Sequence, residues 1–304
     1  MILNISLRTD IVACYTDWLV DKLLHKDFIY SQNPRTKVTT AYSLKDVDCI
    51  AFCSKDYSKI LPYIQEINSK YKCIYYYTIT PYGTDIEPNV PSVDESIKTL
   101  KELSKIVGKE NVLWRFDPLL KTNKISCEWL VDSFEKMAKE LSKYVSRCIF
   151  SFITPYSHTL ANMPEIIPFT EEEKDCITMR MGVIAISENN LHLQICRLGK
   201  EYPGVYVEGC MSPKIFGLNI KPTKASITSG CTCSVQTYGI GEYDTCKMGC
   251  KYCYANYDTK TVRQNYALHD PKSPFLIGNL IADDKIHQAD QKSWIDGQLV
   301  LKFD

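Results

Sequence analysis

Short apolar runs alternate with amphipathic helical patterns over the first two thirds of the chain, and this alternation constrains the fold more than any other feature. The candidate strands are Ile2–Leu7, Cys49–Cys53, Cys73–Thr80, Val112–Phe116, Cys148–Ile153 and Leu191–Cys196. They are rich in Ile, Val, Tyr and Phe, and most of them are continuously apolar rather than alternating. Such runs are typical of parallel strands that are buried on both faces.

The segments between these strands carry helical patterns with recognisable start signals. One helix face is formed by apolar residues at steps of four and three, namely Leu130, Phe134, Met137, Leu141 and Tyr144. Ser92 and Thr170 are each followed three residues later by a Glu, which is the capping-box pattern at the beginning of a helix. Gly108 is placed to end the helix that begins after Ser92.

Repeated strand–helix units of this kind predict a parallel sheet with helices outside it. Six or so units over about 200 residues suit an α/β fold built as a full or partial (β/α) barrel. A doubly wound open sheet is the alternative. No Gly-x-Gly-x-x-Gly follows any of the candidate strands, which weakens a nucleotide-binding version of that alternative.

The pattern changes near residue 200, where Gly, Pro and Thr become more frequent and helical periodicity fades. We therefore predict a barrel-like domain over residues 1–199 and a loop-rich, cysteine-containing C-terminal extension over residues 200–304. Because the extension has little periodic structure of its own, we expect bound metal to organise it. We expect it to pack on the mouth of the barrel.

Charge and hydropathy argue against several classes of protein. The 36 Lys and Arg balance the 36 Asp and Glu, so no overall field attracts nucleic acid, although a local basic patch leaves nucleic acid possible as a partner. No apolar run approaches the roughly 18 residues of a membrane span. Arg8 and Asp10 come too early for a signal peptide. We expect a cytoplasmic protein whose thiols stay reduced.

Cysteine is the anomaly of the composition, with 14 residues, five of them between positions 231 and 253. In a long chain without a signal peptide, this density indicates metal or redox chemistry rather than disulfides. Cys246, Cys250 and Cys253 have the spacing Cys-x3-Cys-x2-Cys, with Tyr252 before the last cysteine. Three thiolates on one compact loop can bind an iron–sulfur cluster and leave one iron open. A zinc knuckle, or buried thiols that happen to cluster, is the alternative.

A second group of cysteines is predicted from Cys231 and Cys233, which point the same way from an extended chain. Together with Cys196 and Cys210 they make a complete ligand set for a second iron–sulfur cluster or a zinc ion. Alternatively, Cys196 is a core thiol and Cys210 a loop thiol. The remaining cysteines lie in apolar runs or helices and are interpreted as core residues: Cys14, Cys49, Cys53, Cys73, Cys127, Cys148 and Cys176.

Polar residues follow several of the candidate strands, where a barrel places its functional groups. Arg8 and Asp10 follow the first strand, and Lys55 follows the second. Glu87 and Asn89 lie in the loop after the third strand, and Arg115 and Asp117 end the fourth. An Arg offers a planar fork to a carboxylate or phosphate. The alternative is local, because Arg8–Asp10 and Arg115–Asp117 are also spaced to form simple salt bridges.

Four segments resemble the bacterial family called domain of unknown function 1848. They are Ser6-Leu-Arg-Thr-Asp10, Glu87-Pro-Asn-Val90, Trp114-Arg-Phe-Asp-Pro118 and Thr245-Cys-Lys-Met-Gly-Cys-Lys-Tyr-Cys-Tyr-Ala-Asn256. Cys196 and Cys210 also match cysteines of that family. The cysteine loop itself is similar to the cluster loop of radical S-adenosylmethionine (SAM) enzymes, and its Tyr-Cys-Tyr-Ala stretch is similar to that of spore photoproduct lyases.

This resemblance implies an enzyme in which Cys246, Cys250 and Cys253 hold a 4Fe–4S cluster whose open iron binds SAM. Reductive cleavage of SAM to a 5′-deoxyadenosyl radical is the implied reaction, with a flavodoxin or ferredoxin as electron donor. The predicted catalytic residues are Arg8, Asp10, Lys55, Arg115 and Asp117, and the predicted cofactor-binding residues are Tyr252, Glu87 and Asn89. In ordinary members of that superfamily the loop follows the first barrel strand, so here it must fold back over the mouth.

Two other functions stay open at this point. One is an electron carrier or sensor with two clusters and no SAM cleavage. The other is a binding protein stabilised by zinc. The resemblance implies a class of chemistry but not a substrate.

Overall fold

A computed structural model describes residues 1–33, 36, 38–196, 200–217, 219, 231–281, 284–293 and 295 of the chain. The strands are β1 (Ile2–Ile5), β2 (Phe28–Gln32), β3 (Thr39–Ser43), β4 (Cys49–Ser54), β5 (Cys73–Thr78), β6 (Val112–Leu119), β7 (Arg147–Phe152), β8 (His192–Ile195), β9 (Val205–Val207), β10 (Thr237–Gly239) and β11 (Ile286–Gln288).

The helices lie mainly between the strands of the large sheet. They are α1 (Ile11–Cys14), α2 (Thr16–His25), α3 (Ile64–Lys70), α4 (Val93–Val107), α5 (Cys127–Leu141), α6 (Ser157–Asn162), α7 (Glu171–Ser187), α8 (Pro213–Phe216) and α9 (Thr259–Ala267). Short 3-10 turns occupy Leu44–Asp46, Leu61–Tyr63 and Lys109–Asn111. Among the described helices, none is both long and apolar enough to cross a membrane.

The main sheet has eight strands in the order β10-β1-β4-β5-β6-β7-β8-β9, and every pair in it is parallel. From β1 to β9 the strands of this sheet follow chain order without a reversal. Strand β10 is added beyond β1, at the opposite edge from β9. No pairing among the described residues joins β9 to β10, so the sheet is not closed there.

The two faces of this sheet are covered differently. Alternate side chains such as Phe52 and Trp114 pack with the helices in the larger core. Their neighbours on the opposite face, such as Ala51 and Leu113, pack with the segment around Phe216 in a smaller core. Because side chains alternate between faces along a strand, the longer helices line one face, and loop and short-helix segments after residue 208 line the other, inner face.

A second, smaller sheet joins distant parts of the chain. Strands β2 and β3 form an antiparallel pair, and β11 adds to β3 in parallel. The sequence patterns did not predict these strands. β2 and β3 are only partly buried and carry Ser, Thr and Gln, so they lack the continuous apolar run that marks the central strands.

The predicted parallel α/β architecture is confirmed, and both predicted capping boxes are present. In one box the backbone N–H of Glu95 donates to Ser92, and the Glu95 side chain accepts from the Ser92 backbone. Gly108 ends that helix with φ +82°, which a residue with a Cβ rarely adopts. Strand β1 is shorter than predicted because Ser6 has φ +78° and turns the chain. The predicted domain boundary at residue 199 lies outside the described residues.

We expect Phe216→Ala to destabilise the protein by about 3–5 kcal/mol, because this fully buried ring fills the inner face of the sheet and its removal leaves a cavity. Val183→Ala on α7 is the control. Val183 is 63% exposed, so its truncation should stay within about 0.5 kcal/mol. Urea unfolding followed by circular dichroism measures both. Equal midpoints for the two variants would contradict the described inner face.

Candidate functional site

The cysteine loop of residues 246–253, here called the cluster loop, lies at the carboxyl end of the main sheet. Strand β10 runs parallel to β1, with Ile2 opposite Thr237 and Asn4 opposite Gly239. The chain therefore leaves β10 at the same edge as the other strands and enters the cluster loop. Arg8 fixes this edge, because Nε donates to the Gly241 carbonyl at 2.5 Å and an Nη to the Gly239 carbonyl at 3.1 Å.

Two loops that follow the sheet strands hold the cluster loop in place. After β1, the hydroxyl of Tyr15 donates to the carbonyl of Thr245 at 2.6 Å. After β5, the Asn89 side chain donates to the carbonyl of Lys247 at 2.8 Å. Gly249 turns the loop with φ +70°, and a Cβ there would lie 3.2 Å from the Pro88 ring. A glycine is therefore required between the first two cysteines.

The three thiols of the cluster loop are shielded from water. Cys246 is buried, and Cys250 and Cys253 are half-buried. The Cys14 thiol, which touches Cys246, and burial together raise the pKa of Cys246 well above its usual range. Burial raises the pKa of Cys250 strongly and that of Cys253 to about 11. These thiols are therefore protonated without a metal, and metal ligation must release their protons.

A buried ion pair lies beside Cys250. Lys55 Nζ is 2.8 Å from Glu87 Oε1 and 2.9 Å from Thr80 Oγ1. Glu87 also accepts hydrogen bonds from Thr80 and from the Tyr252 hydroxyl. Burial disfavours the charged amine, but Glu87 and the Cys250 thiol outweigh it and raise the pKa of Lys55. The cation therefore persists next to a thiol of the cluster loop.

Asp10 is occupied by structural hydrogen bonds. Its Oδ1 accepts from the Ala13 N–H at 3.0 Å, which caps α1, and from Ser54 at 2.8 Å. Its Oδ2 accepts from the Lys55 N–H at 2.8 Å. Burial nevertheless raises the pKa of Asp10 from 3.8 to about 6. This carboxylate joins the loops that follow β1 and β4.

Arg115 and Asp117 form a second ion pair within β6. The predicted strand ends at Phe116, but β6 continues to Leu119 and pairs with β7 there, so Arg115 lies in the middle of the strand and not at its end. Arg115 Nη2 lies 2.6 Å from Asp117 Oδ2, and Ser151 donates to the other carboxylate oxygen. Burial disfavours the charged guanidinium, but Asp117 and the thiols of Cys53, Cys210 and Cys196 outweigh it and raise the pKa of Arg115. The guanidinium therefore faces thiols as well as its carboxylate.

The second group of cysteines, Cys196, Cys210, Cys231 and Cys233, gathers on the inner face of the sheet. Cys210 Sγ lies 3.5 Å from Cys233 Sγ, and the Cys233 N–H donates to Cys231 Sγ at 3.5 Å. Hydrogen bonds from the Cys196 and Cys233 thiols outweigh burial and hold the pKa of Cys210 well below its usual range. The neighbouring thiols therefore favour the ionised form of Cys210.

In the part of the chain that the structure describes, no three His, Cys, Asp or Glu side chains are gathered tightly enough to hold a single metal ion. The contacts among the thiols are pairwise. An iron–sulfur cluster is larger than one ion, and each of its irons takes a separate cysteine.

The predicted site residues thus fall into two neighbouring sets. Lys55, Glu87, Asn89 and Tyr252 contact the cluster loop or one another, whereas Arg115 and Asp117 lie by the second thiol group. Arg8 binds backbone carbonyls and Asp10 binds backbone and hydroxyl groups. Arg8 does not pair with Asp10, and its guanidinium is held by the two backbone carbonyls.

Sequence reasoning missed three contributors to these sets. Cys14 touches Cys246, Cys53 contacts Arg115, and Ser151 binds Asp117. Cys14 and Cys53 were interpreted as core residues, but both are only half-buried, and Cys176 is exposed. The only sequence signal for Cys14 and Cys53 is their position. Cys14 follows β1 and Cys53 lies near the end of β4, so both are close to the carboxyl end of the sheet.

The raised pKa of Asp10 predicts a pH dependence of stability. The folded protein binds this proton more tightly than the unfolded chain, so ionisation of Asp10 lowers the free energy of unfolding as pH rises from about 4 to about 6. Asp10→Asn should remove this contribution. Between about pH 4 and about pH 6, the free energy of unfolding of the variant should therefore fall less than that of the wild type. Anaerobic urea titrations of both proteins test this. Parallel pH profiles would contradict it.

Comparison with known proteins agrees with the sequence motifs. No curated protein and no solved structure matches the chain. Residues 2–255 match the family model described as "Domain of unknown function (DUF1848)". This match spans the main sheet, the second thiol group and the cluster loop, so the chain belongs to the DUF1848 family.

Proposed function

We propose that this protein is a radical SAM-like enzyme whose cluster loop holds a 4Fe–4S cluster through Cys246, Cys250 and Cys253. The observation that carries the proposal is the position of this loop. It follows β10, which lies beside β1, and therefore stands at the carboxyl end of a parallel α/β sheet. Functional groups of such folds collect at that end.

We further propose that the sheet is a partial barrel rather than a doubly wound layer. Two features support this. Its strands from β1 to β9 follow chain order without a reversal, whereas a doubly wound sheet reverses its order at a switch point. Its longer helices also lie on one face, whereas doubly wound sheets carry helices on both.

The residues present fit an iron–sulfur cluster with an open iron. Three thiols come from one loop of the required spacing, and soft thiolates are the ligands that such clusters use. Burial favours the neutral form of these thiols in the absence of metal. Iron would therefore displace their protons, and the protein without metal need not hold three buried thiolates together. When bound, the cluster and SAM would supply one-electron reduction and a carbon radical.

The surrounding side chains have roles that follow from their contacts. The Lys55 cation offsets negative charge at Cys250, and Glu87 and Thr80 fix the amine in place. Tyr252 and Met248 are buried and exclude water from the loop, which a reactive radical requires. Asn89 holds the loop backbone. Arg8 and Asp10 hold the loops that follow β10, β1 and β4.

An electron carrier is the second candidate, and one observation favours it. Cys14 lies against Cys246, close enough to the candidate cluster to compete for its fourth iron. If Cys14 took that position permanently, SAM would have no open iron, and the protein would carry electrons only. In either case a flavodoxin or ferredoxin would be the electron donor. We also propose that the protein is cytoplasmic.

The enzyme proposal predicts that Cys246→Ala, Cys250→Ala and Cys253→Ala combined will remove about four irons per chain. The reason is that these thiols are the only protein ligands proposed for that cluster. Cys176→Ala on α7 is the matched control and should keep its iron. Iron analysis after anaerobic reconstitution measures both. A triple variant with undiminished iron would refute the assignment.

The enzyme and the carrier differ in their response to SAM. We expect reduced wild-type protein to form 5′-deoxyadenosine and to change its electron paramagnetic resonance spectrum when SAM is added. Chromatography and spin resonance measure these outcomes. If SAM changes nothing in the wild type but shifts the spectrum of Cys14→Ala, then Cys14 blocks the open iron and the carrier is the correct function.

The second thiol group is proposed as an auxiliary metal centre. Four sulfurs are a complete set for a second 4Fe–4S cluster, and also for a zinc ion once they close around it, so metal analysis should find about eight irons per chain, or about four irons and one zinc. Cys210→Ala with Cys233→Ala should remove only the second centre. A wild type with about four irons, no zinc and freely reactive Cys231 and Cys233 would contradict this.

A further inference from the structure

The second thiol group is built against the inner face of the sheet, next to Arg115. Cys210 is fixed there through its backbone, because the Tyr76 hydroxyl donates to its carbonyl at 2.7 Å. Gly209 packs closely on the segment that carries Cys231 and Cys233. A Cβ at Gly209 would lie 2.5 Å from the Cys233 Cα. The thiols are therefore held beside β5, the strand that pairs with β6, by tight backbone contacts.

The guanidinium of Arg115 is not fully used by its own partners. One Nη binds Asp117, and the side chain also contacts the Cys53 thiol. Its Nε is buried and has no acceptor within the described residues. A buried donor without an acceptor is costly, so a bound acceptor at this place would recover that cost.

We propose that Arg115 is the charge partner and hydrogen-bond donor of the metal centre held by Cys196, Cys210, Cys231 and Cys233. This inference rests on the auxiliary centre of the proposed function. This role differs from the SAM-binding or substrate-binding role predicted from the sequence, where Arg115 is expected to end a strand.

Charge explains why such a partner is needed. Four thiolates around zinc or a cubane cluster leave a net negative charge, and a buried charge without a partner is costly. Arg115 lies on the same face of β6 as Leu113, because the two residues are two positions apart, and Leu113 belongs to the apolar cluster against which Cys210 packs. The guanidinium is therefore placed on the side of the sheet where the thiols gather.

Asp117 and Ser151 act as positioning residues in this arrangement. Asp117 takes one edge of the guanidinium, and Ser151 holds the carboxylate from β7. Because the guanidinium is planar and Nη2 binds Asp117, its other N–H groups, including Nε, stay available to another acceptor. A lysine retains the charge at this place but lacks the planar fork.

The test compares Arg115→Gln, Arg115→Lys and Arg180→Gln, each reconstituted anaerobically as the full chain. Arg180 pairs with Glu128 on the protein surface, so its variant loses one guanidinium and one ion pair far from the thiols. Chelator competition measures retention of the second centre. Spin resonance and redox titration measure its spectrum and midpoint potential when it contains iron.

We expect Arg115→Gln to weaken metal binding at the second centre about 10- to 100-fold, as loss of a supporting partner does in other metal sites. Arg115→Lys should recover most of the retention. Its iron form should have an altered spectrum and a midpoint potential lower than in the wild type, because the ammonium cannot reproduce the hydrogen bonds that the planar guanidinium donates to sulfur. Arg180→Gln should match the wild type, and the first cluster should keep its iron in all three.

Two results would overturn the inference. One is Arg115→Gln with unchanged metal retention, spectrum and potential, whether or not 5′-deoxyadenosine formation is lost. The other is a wild type without any metal at the second thiol group, which would leave the cluster-loop proposal standing. Loss of iron from the cluster loop in the cysteine variants is measured separately, so failure of the two proposals is distinguishable.

Discussion

The parallel pairing of β10 with β1 is the interaction on which the candidate site depends. β10 has three residues, so its backbone hydrogen bonds alone hold it weakly. Side chains from the first strand–helix connection add to them, because Arg8 binds two carbonyls at the end of β10 and Tyr15 binds the start of the cluster loop. Through this pairing, a segment from the C-terminal third of the chain becomes the edge strand of the main sheet, next to β1.

Two buried ion pairs near the thiol groups serve charge placement more than stability. Lys55–Glu87 and Arg115–Asp117 are both largely shielded from water. The cost of removing such charges from water offsets much of their attraction, so pairs of this kind contribute little net stability. Both pairs instead bring a cation to a thiol group, Lys55 to Cys250 and Arg115 to Cys210. They set the local potential in which a metal centre would form.

The two thiol groups differ in their electrostatics. In the cluster loop, burial beside one lysine raises the pKa of the thiols. In the second group, hydrogen bonds from the neighbouring thiols and the charge of Arg115 hold the pKa of Cys210 well below its usual range. The charge of Lys55 also interacts with that of Asp117, so the two groups are neighbours on one sheet.

The sequence by itself determined the central strands, two capped helices and the cysteine spacing. These features are local, since continuous apolar runs, capping boxes and a three-cysteine loop act over a few residues. Tertiary structure alone decided that β10 lies beside β1, that Arg8 binds carbonyls after β10, that Asp10 joins Ser54 and Lys55, and that Cys14, Cys53 and Ser151 join the site. Those outcomes depend on contacts between residues tens to hundreds of positions apart, where a three-residue strand carries no pattern and a cysteine in an apolar run resembles a core residue.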